Sequence, residues 1–186
     1  PEVLVSDRRN GMLAMYLSTP LDRGTYLTAK AIAVISTLGL VTLGPPVLLL
    51  IGYTVEGEGP DGIGGWLFTL FRIVLSGAAI SAALAAVSMA ASSLTDRRAF
   101  AAIGIVLLVL ASPILAAALV DGAELSPSWR LIDISTVPFE LVFRIFDQPG
   151  NFRELSTWSV LLSNVVWTLG GVAVVWWRYS KLVIAR

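Results

Sequence analysis

The side chains that most often carry catalytic chemistry are absent from this sequence or are not grouped as catalysis requires. The 186 residues include no cysteine and no histidine. This excludes disulfides, thiolate nucleophiles, the usual zinc motifs and Ser-His dyads. An intramembrane enzyme would then need a Ser-Lys dyad or paired aspartates. Lys30 is the one lysine in the long apolar segments, which contain no aspartate, so we expect no catalytic site.

Nucleotide and nucleic-acid chemistry are also disfavoured by the sequence. No GxxxxGK[ST] phosphate-binding loop occurs, so the chain is not expected to hydrolyse ATP itself. Thirteen basic and thirteen acidic residues give a net charge of zero, which offers no general attraction for a polyanion. We therefore expect no nucleic-acid partner, no bound metal and no cofactor held by this chain.

A few polar residues interrupt the apolar segments and are candidates for function. Arg72 lies near one end of its segment, where we expect it to reach the headgroups or to pair with an acid of a neighbouring loop. The same segment is rich in small residues, which favour close helix packing and would equally suit the wall of a translocation path. Our candidates for lining such a path are Ser76, Ser81, Ser88 and Asn164.

The elements that position these residues are helices long enough to cross a bilayer. Apolar residues make up 56% of the chain and charged residues 14%, where soluble domains carry roughly 25% charged residues. A span needs about 20 apolar residues, and four segments qualify: 26–53, 66–94, 99–120 and 158–177. The sequence therefore predicts an all-α, polytopic membrane protein that forms a single transmembrane domain over residues 1–186.

The distribution of charge predicts the orientation of these spans. With the N-terminal stretch, the 95–98 turn and the C-terminal tail on one side, that side carries nine basic residues and the other carries four. Basic residues concentrate on the cytoplasmic side of membrane proteins. We therefore expect both ends of the chain to be cytoplasmic and the acidic loops to face outward, as an even number of spans also requires.

The connection at 121–157 has an internal pattern of its own. In residues 137–146 we expect an amphipathic helix with Phe139, Leu141 and Phe146 near one face and with Glu140 and Arg144 paired at i and i+4. A second short helix is expected to begin near Asn151. This element is interpreted either as a surface helix that caps the bundle or as a lid at the exit of a path.

The first 24 residues are too short and too charged to span a membrane. Ser6 is a possible N-cap, and Pro20 ends the predicted helix. Leu13, Met15 and Leu17 give this helix an apolar side. Such a helix lies on the inner leaflet, with its arginines near anionic lipid, or docks into a cytoplasmic partner.

The stretch "PEVLVSDRRNGMLAMYLSTPLDRGTYLTAKAIA" resembles the cytoplasmic segment of ABC transporter permeases of the type-two exporter class. In that family an acidic and basic start is followed by glycine, apolar positions, Ser-x-Pro and arginine, and then by a lysine early in the next span. Met12 stands where threonine is common. The turn "AASSLTDRRAFAA" and the ending "VVWWRYSK" are similar to family features, so the resemblance covers nearly the whole chain.

This resemblance implies a mechanical role for the N-terminal segment. In the family, the segment is a coupling helix that fits a groove on a separate cytoplasmic ATP-binding subunit, which holds ATP and magnesium. The positions of this sequence that match the family's coupling segment, and to which the resemblance assigns this role, are Asp7, Arg8, Arg9, Asn10, Gly11, Leu13, Tyr16 and Leu17.

The resemblance also implies the setting of the chain. It implies six spans, re-entrant helices between the last two, and a dimer with a second permease copy or a homologous permease in the lipid of a bacterial cytoplasmic membrane. Because the chain starts at Pro1 rather than Met, we expect it to be part of a longer polypeptide that supplies the first two spans.

Two other classes of function stay open at this point. A secondary transporter or channel usually places ionisable groups at mid-membrane, whereas Lys30 and Arg72 lie near the ends of their segments. A structural membrane-assembly protein is compatible with all of these features. A dependence of activity on a cytoplasmic ATPase would separate the exporter from both alternatives.

Overall fold

The computed structural model describes Val5 and residues 23–181, and these residues form helices and connecting turns with no strand. Five α-helices are labelled here in chain order. They are α1 (Arg23–Glu56), α2 (Gly62–Ser93), α3 (Arg98–Ala117), α4 (Val137–Ile145) and α5 (Thr157–Ser180). A π-helix (Ala118–Gly122) and a 3₁₀-helix (Pro127–Ile132) lie between α3 and α4.

Four of these helices are long and apolar enough to cross a membrane, as the sequence predicts. They cover Gly24–Glu56, Gly62–Ser93, Arg98–Gly122 (α3 with the π-helix) and Thr157–Ser180. The helices of the first and second spans extend beyond the apolar segments, so that α1 has 34 residues and α2 has 32. A hydrocarbon layer about 30 Å thick takes only about 20 of those residues, so both helices project beyond it.

The second long helix, α2, occupies the centre of the described bundle. In the most apolar 18-residue window of α2, 56% of the residues are buried, compared with 6% in α1 and 11% in α3. Small side chains allow this central position because they let neighbouring helices come close. Where α5 crosses α2, for example, a Cβ atom placed on Gly171 of α5 would lie 2.7 Å from the carbonyl carbon of Ala86.

The connection between α3 and α5 folds back along the bundle. In its main cluster, Val137 and Leu141 of α4 are buried with Phe152, Leu155 and Val160, and Ala79 of α2 packs against that cluster. Ala79 lies 17 residues after Gly62, which is about 25 Å along the helix axis at 1.5 Å per residue. The helix α4 is therefore inserted against α2 and α5 rather than laid over the end of the bundle.

Two details of this connection differ from the sequence-based expectation. Phe139 does not share a buried face with Leu141, because its side chain is 50% exposed while Glu140 is fully buried. No helix begins at Asn151, since residues 151–156 form turns and α5 starts at Thr157. The backbone of these turns instead contacts the side chains of α4, as described below.

Candidate functional site

The predicted coupling residues, from Asp7 to Leu17, lie outside the residues that the structure describes. The described chain resumes at Arg23, six residues after Leu17, where α1 begins. The surroundings of the first turns of α1 show which parts of the bundle contact the chain after this segment.

The start of α1 is packed against the ends of two other spans. Tyr26 and Leu27 form a buried cluster with Met89 of α2 and with Val175 and Tyr179 of α5. The ring centroids of Tyr26 and Tyr179 are 6.2 Å apart, within the range of favourable aromatic pairs. This terminal cluster joins three spans at one end of the bundle.

The terminal cluster is not fully filled. A cavity of about 150 Å³ lies beside it, between the first turns of α1 and the last turns of both α2 and α5. Its walls include Leu27, Met89 and Val175, and its surface is almost wholly apolar. Close packing transmits strain, so the buried cluster connects the three helix ends although an apolar pocket lies beside it.

Ser81, one of the candidate path residues, lies in the contact between α1 and α2. The Ser81 hydroxyl is 3.0 Å from that of Thr42, and the Thr42 hydroxyl also donates to the Gly77 carbonyl at 3.4 Å. Ser88 is half-buried, and its carbonyl oxygen accepts a hydrogen bond from the Ser92 hydroxyl at 2.7 Å. Both residues therefore take part in helix packing or local hydrogen bonding, and their place in a path stays a prediction.

Ser76 and Asn164, the other two candidates, are buried with unsatisfied polar atoms. Their exposed fractions are 6% and 5%. Within the described part of the chain, neither the Ser76 hydroxyl oxygen nor the Asn164 amide nitrogen has a hydrogen-bond partner. An unpaired buried polar group costs about 1–3 kcal/mol, so a water molecule, a partner helix or a ligand that bonded to either atom would be stabilising.

The helix α4 is held in place by a buried ion pair. The Arg144 guanidinium donates to Glu140 at 3.0 Å and to the carbonyl oxygen of Phe152 at 2.7 Å. The second Glu140 oxygen accepts from the Asn151 N–H at 2.7 Å. A Cβ atom at Gly150 would overlap the Glu140 carboxylate, so only glycine allows this loop to approach. The predicted i, i+4 pair is confirmed, and it also fixes the turns that lead into α5.

The backbone before α4 is not α-helical, and side chains of α5 and of the connection itself satisfy part of it. The Leu131 carbonyl accepts from the Ser163 hydroxyl at 2.8 Å and from the Trp167 indole N–H at 3.3 Å, both on α5. The buried Asp133 carboxylate accepts from the N–H groups of Ser135 and Thr136 at 2.9 and 3.1 Å. Irregular backbone at membrane depth requires such internal partners, so this connection is built to lie within the protein.

Sequence reasoning did not find these anchoring residues. Ser163, Trp167 and Asp133 show no pattern of their own in the sequence, because each contacts backbone that is distant along the chain or irregular in conformation. Asp133 had one available signal, since an aspartate side chain in a turn often accepts a hydrogen bond from the backbone N–H two residues later.

The charged residue within α2 is paired, as the sequence predicts. Arg72 donates to the Asp147 carboxylate at 2.5 Å, and Asp147 follows α4 in the loop toward α5. The guanidinium carbon also lies 4.4 Å from the ring centroid of Phe68, a favourable cation–π distance. This contact ties the loop after α4 to the central span.

Metal ligation finds no support in the described residues. Between residues 23 and 181, no three His, Cys, Asp or Glu side chains are grouped closely enough to hold a metal ion. The described residues form contacts that connect the helices mechanically. They also include isolated buried polar atoms.

Comparison with known proteins agrees with this arrangement. A family model for ABC-2 family transporter proteins matches residues 2–182. No curated protein and no solved structure matches the chain. The match includes the N-terminal segment, all four long helices and the folded-back connection. The chain therefore belongs to the ABC-2 transporter family and is a multi-pass membrane permease of that family.

Proposed function

We propose that this chain is the membrane-spanning subunit of an ATP-driven exporter. In this proposal a separate cytoplasmic subunit binds ATP and magnesium, and the permease converts its conformational change into movement of cargo. The family match over residues 2–182 is the observation that carries the proposal. The absence of a phosphate-binding loop from the sequence agrees with placing the ATPase on another chain.

The proposed setting is a bacterial cytoplasmic membrane with both ends of the chain in the cytoplasm. The charge distribution supports this orientation, because nine of the thirteen basic residues fall on the side of the two termini. The loop after α1 and the connection containing α4 then face outward. Two permease copies, or this chain and a homologous one, would enclose the path. Ser76, Ser81, Ser88 and Asn164 remain our candidates for its lining.

The proposed coupling element is the segment from Asp7 to Leu17. Asp7, Arg8 and Arg9 would pair with charges on the ATPase, and the apolar side chains Leu13, Tyr16 and Leu17 would fill a cleft in its surface. Asn10 and Gly11 would complete the contact. The support is the pattern of residue types in this segment and its position shortly before α1 in the sequence.

The terminal cluster supports a route for this coupling. Because Tyr26 and Leu27 are packed on Met89 and Val175, a displacement of the start of α1 would act on the ends of α2 and α5 together. Packed helices move as units and not as continuously deformable material. In the proposed cycle, the movement reaches the far end of the bundle through α2, which also contacts α4.

Charge reversal in the coupling segment tests this function. The double substitution Arg8→Glu and Arg9→Glu should abolish co-purification with the ATPase and reduce transport at least tenfold, because the new charges repel the acidic partners that we propose. The matched control is Arg153→Glu, an exposed arginine after α4, which should retain both properties. Unchanged co-purification and ATP-dependent transport in the double variant would contradict the proposed coupling role.

A further inference from the structure

An open groove, called the cavity below, lies between α1 and α2 at the end of the bundle that contains Gly62. Its volume is about 490 Å³, within the range of about 300–1,000 Å³ that is typical of small-molecule sites. Most of its walls are apolar side chains: Pro46, Leu49, Leu50 and Tyr53 of α1, Ile73 of α2, and Phe146 after α4. Such a space suits a hydrocarbon chain better than a hydrated solute.

A positive charge lies near this cavity. The guanidinium carbon of Arg72 lies 6.0 Å from the ring centroid of Phe146, and Phe146 lines the cavity. An apolar space with a single arginine at its edge is the arrangement expected for an amphiphile that has an apolar chain and an anionic headgroup.

The depth of Arg72 agrees with a headgroup position. Trp66 lies six residues before it on α2, about 9 Å along the helix axis, and tryptophan is enriched at the membrane–water boundary. Helical side chains tilt toward the helix N-terminus, which here is the end nearer to that boundary. The guanidinium can therefore reach the level of lipid phosphates while the cavity extends alongside the acyl region.

The present partner of Arg72 is one that a phosphate could replace. The Asp147 side chain is 76% exposed and its backbone has a φ of 56°, in the left-handed region that non-glycine residues seldom adopt. An ion pair with such an exposed partner contributes only about 0–1 kcal/mol. A phosphate accepts two parallel hydrogen bonds from a guanidinium and binds it more strongly than a single exposed contact does.

We propose that the cavity binds an anionic phospholipid, with an acyl chain between α1 and α2 and its phosphate on Arg72 in place of Asp147. The exposed Glu58 carboxylate also lines the cavity, and its charge weakens the attraction for the headgroup. Neutralising it by Glu58→Gln is therefore expected to tighten binding. The site is independent of the proposed coupling to an ATPase.

Lipid titration of the purified full chain tests this site. The probes are phosphatidylglycerol and phosphatidylcholine with the same two acyl chains, and glycerol 1-phosphate as a headgroup without chains. Binding is followed by native mass spectrometry and by the thermal unfolding temperature in detergent. We expect phosphatidylglycerol to bind at least tenfold more tightly than phosphatidylcholine, and glycerol 1-phosphate to have no effect.

Variants then locate the binding. Arg72→Gln should reduce the preference for phosphatidylglycerol at least fivefold, whereas Arg153→Gln, at an exposed arginine of the connection that also contains Asp147, should retain it. Leu49→Trp, which fills part of the cavity from a side chain that is 60% exposed, should weaken binding of both lipids. Equal loss in the two arginine variants, no effect of Leu49→Trp, or equal stabilisation by glycerol 1-phosphate would overturn the proposal.

Discussion

At the scale of single residues, the most constrained group is the buried pair of Glu140 and Arg144. Glu140 is fully buried, and the pair holds both α4 and the following turns through bonds to Asn151 and Phe152. The spacing of the two residues predicts that they meet, because residues at i and i+4 are neighbours on a helix. Their burial was not predictable, since it depends on a loop that folds over them.

Removing the arginine from this pair should destabilise the protein. Arg144→Met leaves the Glu140 charge buried without its partner, and it removes the donor for the carbonyl of Phe152. Breaking a buried pair in this way costs about 3–5 kcal/mol. The free energy of unfolding, measured by SDS titration in mixed micelles, should fall by about that amount. The control substitution Arg153→Met, at an exposed arginine, should change the free energy of unfolding by less than about 0.5 kcal/mol. Equal stability of the two variants would contradict the assignment of a buried pair to Glu140 and Arg144.

Arg72 shows the same limit of sequence reasoning. Its position near the end of an apolar segment predicted that it reaches the headgroups or pairs with an acid of a neighbouring loop, and the structure shows it paired with Asp147. The sequence offers nine acids on the same predicted side, so the specific partner required knowledge of how the connection folds.

At the scale of elements, the long helices follow from hydropathy and the connections do not. All four predicted spans are helices, with ends that differ by a few residues, and α1 and α5 continue beyond their apolar parts at both ends. The 3₁₀-helix at Pro127–Ile132 has no periodic signal of its own, and its Leu131 carbonyl is anchored by side chains of α5. Contacts between segments distant in sequence decided these parts of the structure.

The packing of α5 on α2 predicts different effects for substitutions at two neighbouring glycines. Gly171 and Gly170 are neighbours on α5, but only Gly171 faces Ala86, while a Cβ atom at Gly170 would meet nothing within 4 Å. Gly171→Ala should push the two helices apart and lower the free energy of unfolding by about 1–3 kcal/mol. Gly170→Ala should be neutral or should stabilise by up to about 1 kcal/mol, since alanine favours helix over glycine.

The same SDS titration compares these two glycine variants, and hydrogen exchange of α5 gives an independent readout. A larger loss of stability for Gly170→Ala than for Gly171→Ala would show that the contact between α2 and α5 is assigned to the wrong face.

At the scale of the whole molecule, the described spans form a bundle around α2 with large apolar surfaces on α1 and α3. Exposed apolar side chains such as Leu40, Val41, Leu107 and Ile114 cover those two helices. Lipid and other helices are the natural partners of such surfaces. The family and the number of spans were predictable because both rest on the order of residues, whereas the assembly with a second permease and an ATPase involves other chains and stays a proposal.

The central claim is that the segment from Asp7 to Leu17 contacts a cytoplasmic ATPase, and site-specific photocrosslinking tests it most directly. Replacing Tyr16 with p-benzoylphenylalanine keeps an aromatic side chain in the proposed apolar contact, and the same replacement at Tyr53, near the opposite end of α1, is the matched control. We predict a crosslink to an ATP-binding subunit, identified by mass spectrometry, from position 16 and none from position 53. A crosslink to that subunit from position 53, or its absence from position 16 in an actively transporting complex, would contradict the account.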